Sequence, residues 1–239
     1  MPNGTLGPGP GAGHLTAVDD RGIGGLAGIL PPYVSVASRQ SSAGLLPLEP
    51  SDRAALGSVS PRYEERFAGG RDCARRALAG LGVREAPVGR GRAGKPLWPE
   101  GTVGSITHTR SYIAAAVARV EMVRAIGIDA EAHRQLDDSV VRRVCVASEL
   151  DWVDRLAPRN GTVWPLVLFS AKESIYKAWY PLAGTWIGFA DAEVTVDVAR
   201  MSLVARLRPR LARQMGLETV CGRFAVDATH VFTTIVVPR

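Results

Sequence analysis

The chain has 239 residues, 46% of them hydrophobic and 22% charged, which is enough for one large core or two packed halves. Lys and Arg total 29 against 23 Asp and Glu, a net charge of +6 that favours anionic partners. The basic residues are dispersed, with no long run and no aromatic-interleaved basic strip, which argues against nucleic acid.

Residues 1–32 are rich in Gly and carry Pro2, Pro8, Pro10, Pro31 and Pro32, so the sequence predicts a flexible extension there. The N-terminus lacks a basic region followed by an apolar stretch. Cys73, Cys145 and Cys221 have no CxxC spacing and read as reduced thiols, and the longest clean apolar run, Tyr112 to Ala118, is too short to cross a bilayer. The expectation is a cytoplasmic protein with no membrane partner. From Arg62 to Leu81, Phe67, Ala74, Ala77, Leu78 and Leu81 fall near one helical face, interrupted by Gly69 and Gly70. Three strands are predicted at Thr102 to Thr107, Tyr112 to Val120 and Ala125 to Ala130. A helix is predicted from Val163 to Tyr180 with Trp164, Val167, Leu168, Ala171, Ile175, Ala178 and Trp179 on the 3.6-residue period, and Pro181 stops it. Four more strands follow at Glu193 to Asp197, Met201 to Leu207, Val220 to Val226 and Val231 to Val237.

Two acidic motifs carry the chemistry. Asp129 and Glu131 end the apolar run Ala125 to Ile128, and residues two apart in an extended strand present their carboxylates on one side. Glu173, in Lys172-Glu173 of the predicted helix, comes from a different element. Three hard oxygen donors suit Mg²⁺ or Mn²⁺, with water and a substrate phosphate completing the shell, so the pattern points to phosphoryl chemistry. An isolated DxE is more often a solvated strand end, and Glu173 with Lys177 is by default an ordinary helix pair worth about 0.2–0.5 kcal/mol.

The surrounding residues sharpen this. In order, the chain reads GRDCARRAL, GKP from Gly94, GSITH ending at His108, GIDAE ending at Glu131, and FSAKESIYKAW from Phe169. Over roughly Arg62 to Glu193 these blocks resemble the 4'-phosphopantetheinyl transferases, of the larger monomeric type associated with surfactin and enterobactin synthesis. The resemblance implies an α+β fold of two similar halves related by a pseudo-twofold, with the active site in the cleft between them. After the extension at 1–32, it places an N-terminal half at 33–121 and a C-terminal half at 122–239.

The resemblance further implies transfer of the phosphopantetheine arm of coenzyme A to a serine of an apo acyl, aryl or peptidyl carrier protein, serving fatty acid, polyketide or nonribosomal peptide synthesis and releasing adenosine 3',5'-bisphosphate. Asp129, Glu131 and Glu173 would hold the metal; Glu173 would also take the serine proton, directly or through a metal-bound water. Lys172 and His108 would neutralise phosphate charge, Lys172 assisting the departing nucleotide. Lys95, Thr107 and Lys177 would also contact coenzyme A, with Arg71 and then Arg62 reaching its 3'-phosphate. Ala130 departs from relatives that carry a third carboxylate or a Gln between the two acids, leaving one more metal position to water. The segment Arg134 to Arg155, with Arg142, Arg143, Val144 and Trp152, would receive the carrier protein. Two other readings fit parts of the pattern: a coenzyme A- or carrier-binding module without turnover, and a metal-dependent phosphohydrolase.

Overall fold

A computed structural model describes residues 25–41, 46–56, 59–84, 87–91, 94–156 and 163–239. The fold is α+β. A 3-10 turn at Leu26–Ile29 leads to β1 (Ser35–Gln40), α1 (Pro50–Leu56), α2 (Pro61–Gly80), a two-stranded ribbon of β2 (Gly89–Arg90) and β3 (Pro96–Leu97), then β4 (Thr102–His108), β5 (Tyr112–Arg119) and β6 (Val123–Ala132). There follow α3 (Asp138–Val144), α4 (Ala147–Arg155), α5 (Trp164–Ala183), β7 (Ala192–Asp197), β8 (Ser202–Leu207), α6 (Pro209–Met215), β9 (Thr219–Val226) and β10 (His230–Pro238). One antiparallel sheet has the order β1-β5-β4, the other β6-β10-β9-β8-β7.

The interior of β5, Ile113 to Ala118, is wholly apolar and mostly Ala because both its faces are covered. Ile113, Ala115 and Val117 pack beneath α2, while Ala114, Ala116 and Ala118 join Leu26, Ile29, Ile126, Ile128 and Phe232. Most of the predicted extension, residues 1–24, lies outside the described residues. Leu26 and Ile29, at its end, belong instead to the core, with 0% and 7% of their surface exposed.

Ser60 caps α2, its Oγ accepting the Tyr63 N–H at 3.4 Å, and Pro61 starts the first turn. The two glycines that seemed to weaken this helix are where it touches the sheet: a Cβ on Gly69 would lie 2.5 Å from Ile113 Cδ1, and one on Gly70 3.1 Å from Ile106 Cγ2. The helix α5 extends past Pro181 to Ala183, contrary to the sequence expectation. Pro181 has no N–H to give the carbonyl four residues back, yet the helix continues two residues beyond it, and Gly184 at φ 64° makes the stop, its N–H bonding Tyr180 O. α6 has no counterpart among the elements the sequence predicts.

The two sheets meet where β6 runs beside β4. The side chains of Ser105 and Thr107 accept the N–H groups of Ile128 and Ala130, at 3.2 and 3.1 Å. On the other side of β6, α5 crosses so closely that a Cβ on Gly127 would collide with Ser174 O. Only glycine permits that approach, and it brings Glu173 and Lys177 over Asp129. Among the described residues no helix is long and apolar enough to cross a membrane, and the three cysteines are free.

Candidate functional site

Asp129 occupies the middle of β6, is 4% exposed, and has both carboxylate oxygens engaged. Oδ1 accepts Lys177 Nζ at 2.7 Å and Thr107 Oγ1 at 3.2 Å; Oδ2 accepts Ser170 Oγ at 2.8 Å. Lys177 Nζ also donates to Ile128 O and to Thr107 Oγ1, so it is held by three acceptors at the edge of β6. Behind Asp129, the fully buried hydroxyls of Ser170, Thr233 and Ser174 form a chain, with Ser170 Oγ 2.9 Å from Thr233 Oγ1 and Ser174 Oγ 2.7 Å from it. The chain ties α5 to β10 and fixes the carboxylate's rotamer. The sequence motifs alone do not single out these hydroxyls. Ser170 and Ser174 sit three residues before Glu173 and Lys177 respectively, a spacing that is visible in the sequence, but Thr233 carries no such signal.

Glu131 and Glu173 complete an acidic cluster around Asp129. Burial and then the Asp129 charge push the Glu131 carboxyl up from 4.5 to about 7, with Glu173 adding to the rise, and the same two causes raise Glu173. Among the described residues, no three acidic, His or Cys side chains are gathered closely enough to hold a metal ion. The donor set nevertheless suits a hard divalent cation: all its ligating atoms are carboxylate oxygens, and their mutual repulsion is what an added positive charge would relieve.

This repulsion has a measurable sign. Because the folded value for Glu131 lies above its ordinary one, the native state binds more protons than the unfolded state between about pH 4.5 and 7, and stability falls as pH rises through that window. Glu131→Gln should therefore stabilise the metal-free protein at pH 8 by on the order of 1 kcal/mol, discounted for partial exposure, and by almost nothing at pH 4.5. Urea denaturation at the two pH values checks this; an equal gain at both would mean that neither burial nor the neighbouring carboxylates raise the Glu131 carboxyl.

Lys172 is not brought to this cluster. Its Nζ, in a side chain 2% exposed, donates to Glu149 Oε2 at 2.7 Å, Val144 O at 2.8 Å and Phe189 O at 2.9 Å, so all three ammonium protons are used. Glu149 also accepts the Val146 and Val194 N–H groups at 2.8 and 2.7 Å. The buried pair thus pins α3, α4 and β7 to α5. Adjacent helical residues point about 100° apart, so Lys172 and Glu173 cannot both face Asp129, whereas Lys177 shares the face of Glu173.

Two recesses run along the seam from the cluster. The first, about 250 Å³, is lined by Lys95, Trp98, Ser105, Tyr176, Lys177 and Tyr180 among others, from the segment around β3, from β4 and from α5. Gly94 takes φ 78°, and Lys95 follows it. The second, about 180 Å³, is lined by Tyr63, Arg66, Phe67, Arg71 and His108, and shares Gly94, Pro96 and Ile106 with the first. Burial lowers the pKa of His108, as do the Lys177 and Arg66 charges.

Arg71, the expected contact for a 3'-phosphate, is 3% exposed and stacked on Phe67 at 4.4 Å, with Nη2 donating to Gly89 O at 2.9 Å. Asp52, which binds Arg75 at 2.7 Å, lies 4.0 Å from Arg71 Nε, beyond hydrogen-bond reach. The Nε atoms of both Arg66 and Arg71 are buried without an acceptor. Arg62 is exposed and does not line the recess. Arg66 does, although the motifs do not single it out; residues 63, 66, 67, 70 and 71 share one helical stripe, a signal the sequence carries.

Beyond Glu173 a third recess, of about 320 Å³, is lined by Arg143, Glu173, Tyr176, Trp186, Ile187 and Phe189 among others. Tyr176 lines both this recess and the first, and its ring makes tilted contacts with Tyr180 at 5.6 Å and Trp186 at 4.5 Å between centroids.

Residues 52–118 match the family model for the 4'-phosphopantetheinyl transferase N-terminal domain, and residues 125–226 that for the 4'-phosphopantetheinyl transferase superfamily. The chain is similar to 4'-phosphopantetheinyl transferase Svp of Streptomyces mobaraensis, at 44% identity over 67% of this chain and 65% of the relative, just under two thirds of its length. It is similar to 4'-phosphopantetheinyl transferase PptT of Mycobacterium tuberculosis at 39% over 81% of this chain and 87% of the relative, and to enterobactin synthase component D of Salmonella typhi at 34% over 75% and 74%.

Proposed function

The chain belongs to the 4'-phosphopantetheinyl transferase superfamily, and on that premise we propose that it moves the phosphopantetheine arm of coenzyme A to a serine of an apo carrier protein. The observation that carries this reading is the position of the acidic cluster, between a recess lined by Arg66, Arg71 and His108 and a recess in which Ile175, Tyr176, Trp186, Ile187 and Phe189 adjoin Glu173. Coenzyme A has that distribution of charge: a phosphorylated nucleoside, a pyrophosphate, then a neutral arm. Arg66, Arg71, Lys95 and His108 would receive the phosphorylated nucleoside, Lys177 and Thr107 the pyrophosphate, and the third recess the arm.

Glu131, Glu173 and Asp129 would hold Mg²⁺ or Mn²⁺, which when bound would offset charge on the pyrophosphate. Glu173, with its pKa raised by burial and by Asp129, is suited to accept the serine proton near neutral pH. The serine oxygen forms a bond to the phosphorus bearing the arm, the bond from that phosphorus to the bridging oxygen breaks, and adenosine 3',5'-bisphosphate leaves with the electron pair. Lys177 neutralises charge beside Asp129; Lys172 holds the framework. Arg142 and Arg143 are exposed, and Arg143 reaches the third recess, so an acidic carrier protein would approach across α3. We place this activity in the cytoplasm, in a monomer.

Intact mass of an apo carrier protein, before and after incubation with the chain, coenzyme A and Mg²⁺, tests the reading. The expected result is the added mass of one phosphopantetheine group. Coenzyme A binding in calorimetry without that mass would mark a module without turnover, and nucleotide release without carrier protein would mark a hydrolase.

A further inference from the structure

His230 opens β10, is 5% exposed, and has no part in the chemistry above. Its ring is packed against Tyr112 and Phe232, both at 5.6 Å between centroids. Both ring nitrogens are engaged: Nδ1 lies 2.9 Å from Thr229 Oγ1, and Nε2 lies 3.0 Å from Ser111 Oγ and 3.2 Å from Thr109 Oγ1. Counting protons assigns the tautomer. The Thr229 hydroxyl gives its proton to Asp227 Oδ1 at 2.8 Å, so its oxygen accepts from Nδ1–H, and Nε2 is left as an acceptor for the Ser111 and Thr109 hydroxyls. Burial lowers the pKa of the ring, which agrees with a neutral imidazole.

Those two hydroxyls belong to the turn between β4 and β5, which begins directly after His108. Within it Thr109 Oγ1 accepts the N–H groups of Ser111 and Tyr112, at 3.2 and 3.0 Å. On the other side, His230 pairs with Ala132 and Val231 with Glu131 along β6. One imidazole thus joins the turn after His108 to the strands that carry the carboxylates.

We propose that His230 is a positioning residue that clamps the 109–111 turn, and through it His108, at a fixed place relative to the acidic cluster. The proposal rests on the reading of His108 as a coenzyme A phosphate contact. His230→Ala should raise the KM and the calorimetric Kd for coenzyme A roughly five- to ten-fold while leaving kcat at saturation within about two-fold, because the weakened His108–phosphate interaction is made equally in the ground and transition states. In a His108→Ala background the same substitution should change Kd by less than about two-fold, since residues acting through one interaction are not additive. His230→Gln, whose amide oxygen can accept from the turn, should recover most of the loss. Amide exchange at Ser111 and Tyr112 should accelerate in His230→Ala.

Additive effects of the two alanine substitutions, or an unchanged Kd in His230→Ala when His108→Ala weakens binding, would overturn the proposal. If His108→Ala leaves Kd unchanged, the phosphate role of His108 fails instead, and the clamp then stands or falls on the exchange of those two amides. Should His230→Ala not fold, Ser111→Ala, at an exposed position, removes the nearer donor and must show the same changes to a smaller extent, or the proposal fails.

Discussion

Glu173→Gln is expected to lower carrier-protein modification by about 10²–10⁴-fold, the span typical of losing a positioned general base. It should do so without loss of stability, because the carboxyl it removes is one whose charged form burial and Asp129 already disfavour. Asp129→Asn should be equally inactive for a different reason and with a different signature. Its carboxylate balances Lys177 and accepts Thr107 and Ser170, so neutralising it leaves an ammonium unpaired and should cost stability as well. Single-turnover rates at saturating coenzyme A, together with thermal unfolding of each variant, separate the two. More than a tenth of normal transfer in Glu173→Gln would remove it from the role of base, and a fully stable Asp129→Asn would contradict the hydrogen-bond account.

Lys172→Met should destabilise the protein by about 3–5 kcal/mol, since it strands the Glu149 carboxylate in a site where it is 2% exposed. Pairing it with Glu149→Leu removes the stranded charge and should return part of that loss, the rest remaining because Val144 O, Phe189 O and the Val146 and Val194 N–H groups lose their partners. The double variant then tells a structural lysine from a catalytic one. If it is folded and transfers at a rate within a few-fold of normal, Lys172 acts only on the framework. A folded but inactive double variant would restore the phosphate role that the motif Lys172-Glu173 first implied. Chemical denaturation and the mass-shift assay supply both readings.

What the sequence made legible and what it hid divide by range. The alternation at Asp129 and Glu131 and the helical period over α5 are local, and both the strand and the helix appear where those periods predict. That Lys177, rather than Lys172, shares a face with Glu173 was likewise written in the spacing, although the adjacency of Lys172 and Glu173 drew attention away from it. The occupation of Lys172 by Glu149 and of Arg75 by Asp52 depends on segments 23 residues away packing alongside, which no local period reports. Leu26 and Ile29 were obscured differently: Gly and Pro dominate the composition around them, yet two apolar side chains suffice to seat a short turn on β10.

The hydroxyls of Ser105 and Thr107 stand where a backbone ladder would otherwise join β4 to β6. The backbone ladders of the two sheets are therefore separate, and side-chain bonds and a shared apolar cluster hold them together. In hydrogen exchange, the amides of Ile128 and Ala130 report on parting of the two sheets, while their neighbours bonded to β10 report on global unfolding. Parting the sheets would also break the Thr107 contacts to Asp129 and Lys177 and the His230 bonds to the 109–111 turn, and would open the apolar cluster shared by β5, β6 and β10, so the acidic cluster keeps its place only while that seam is closed.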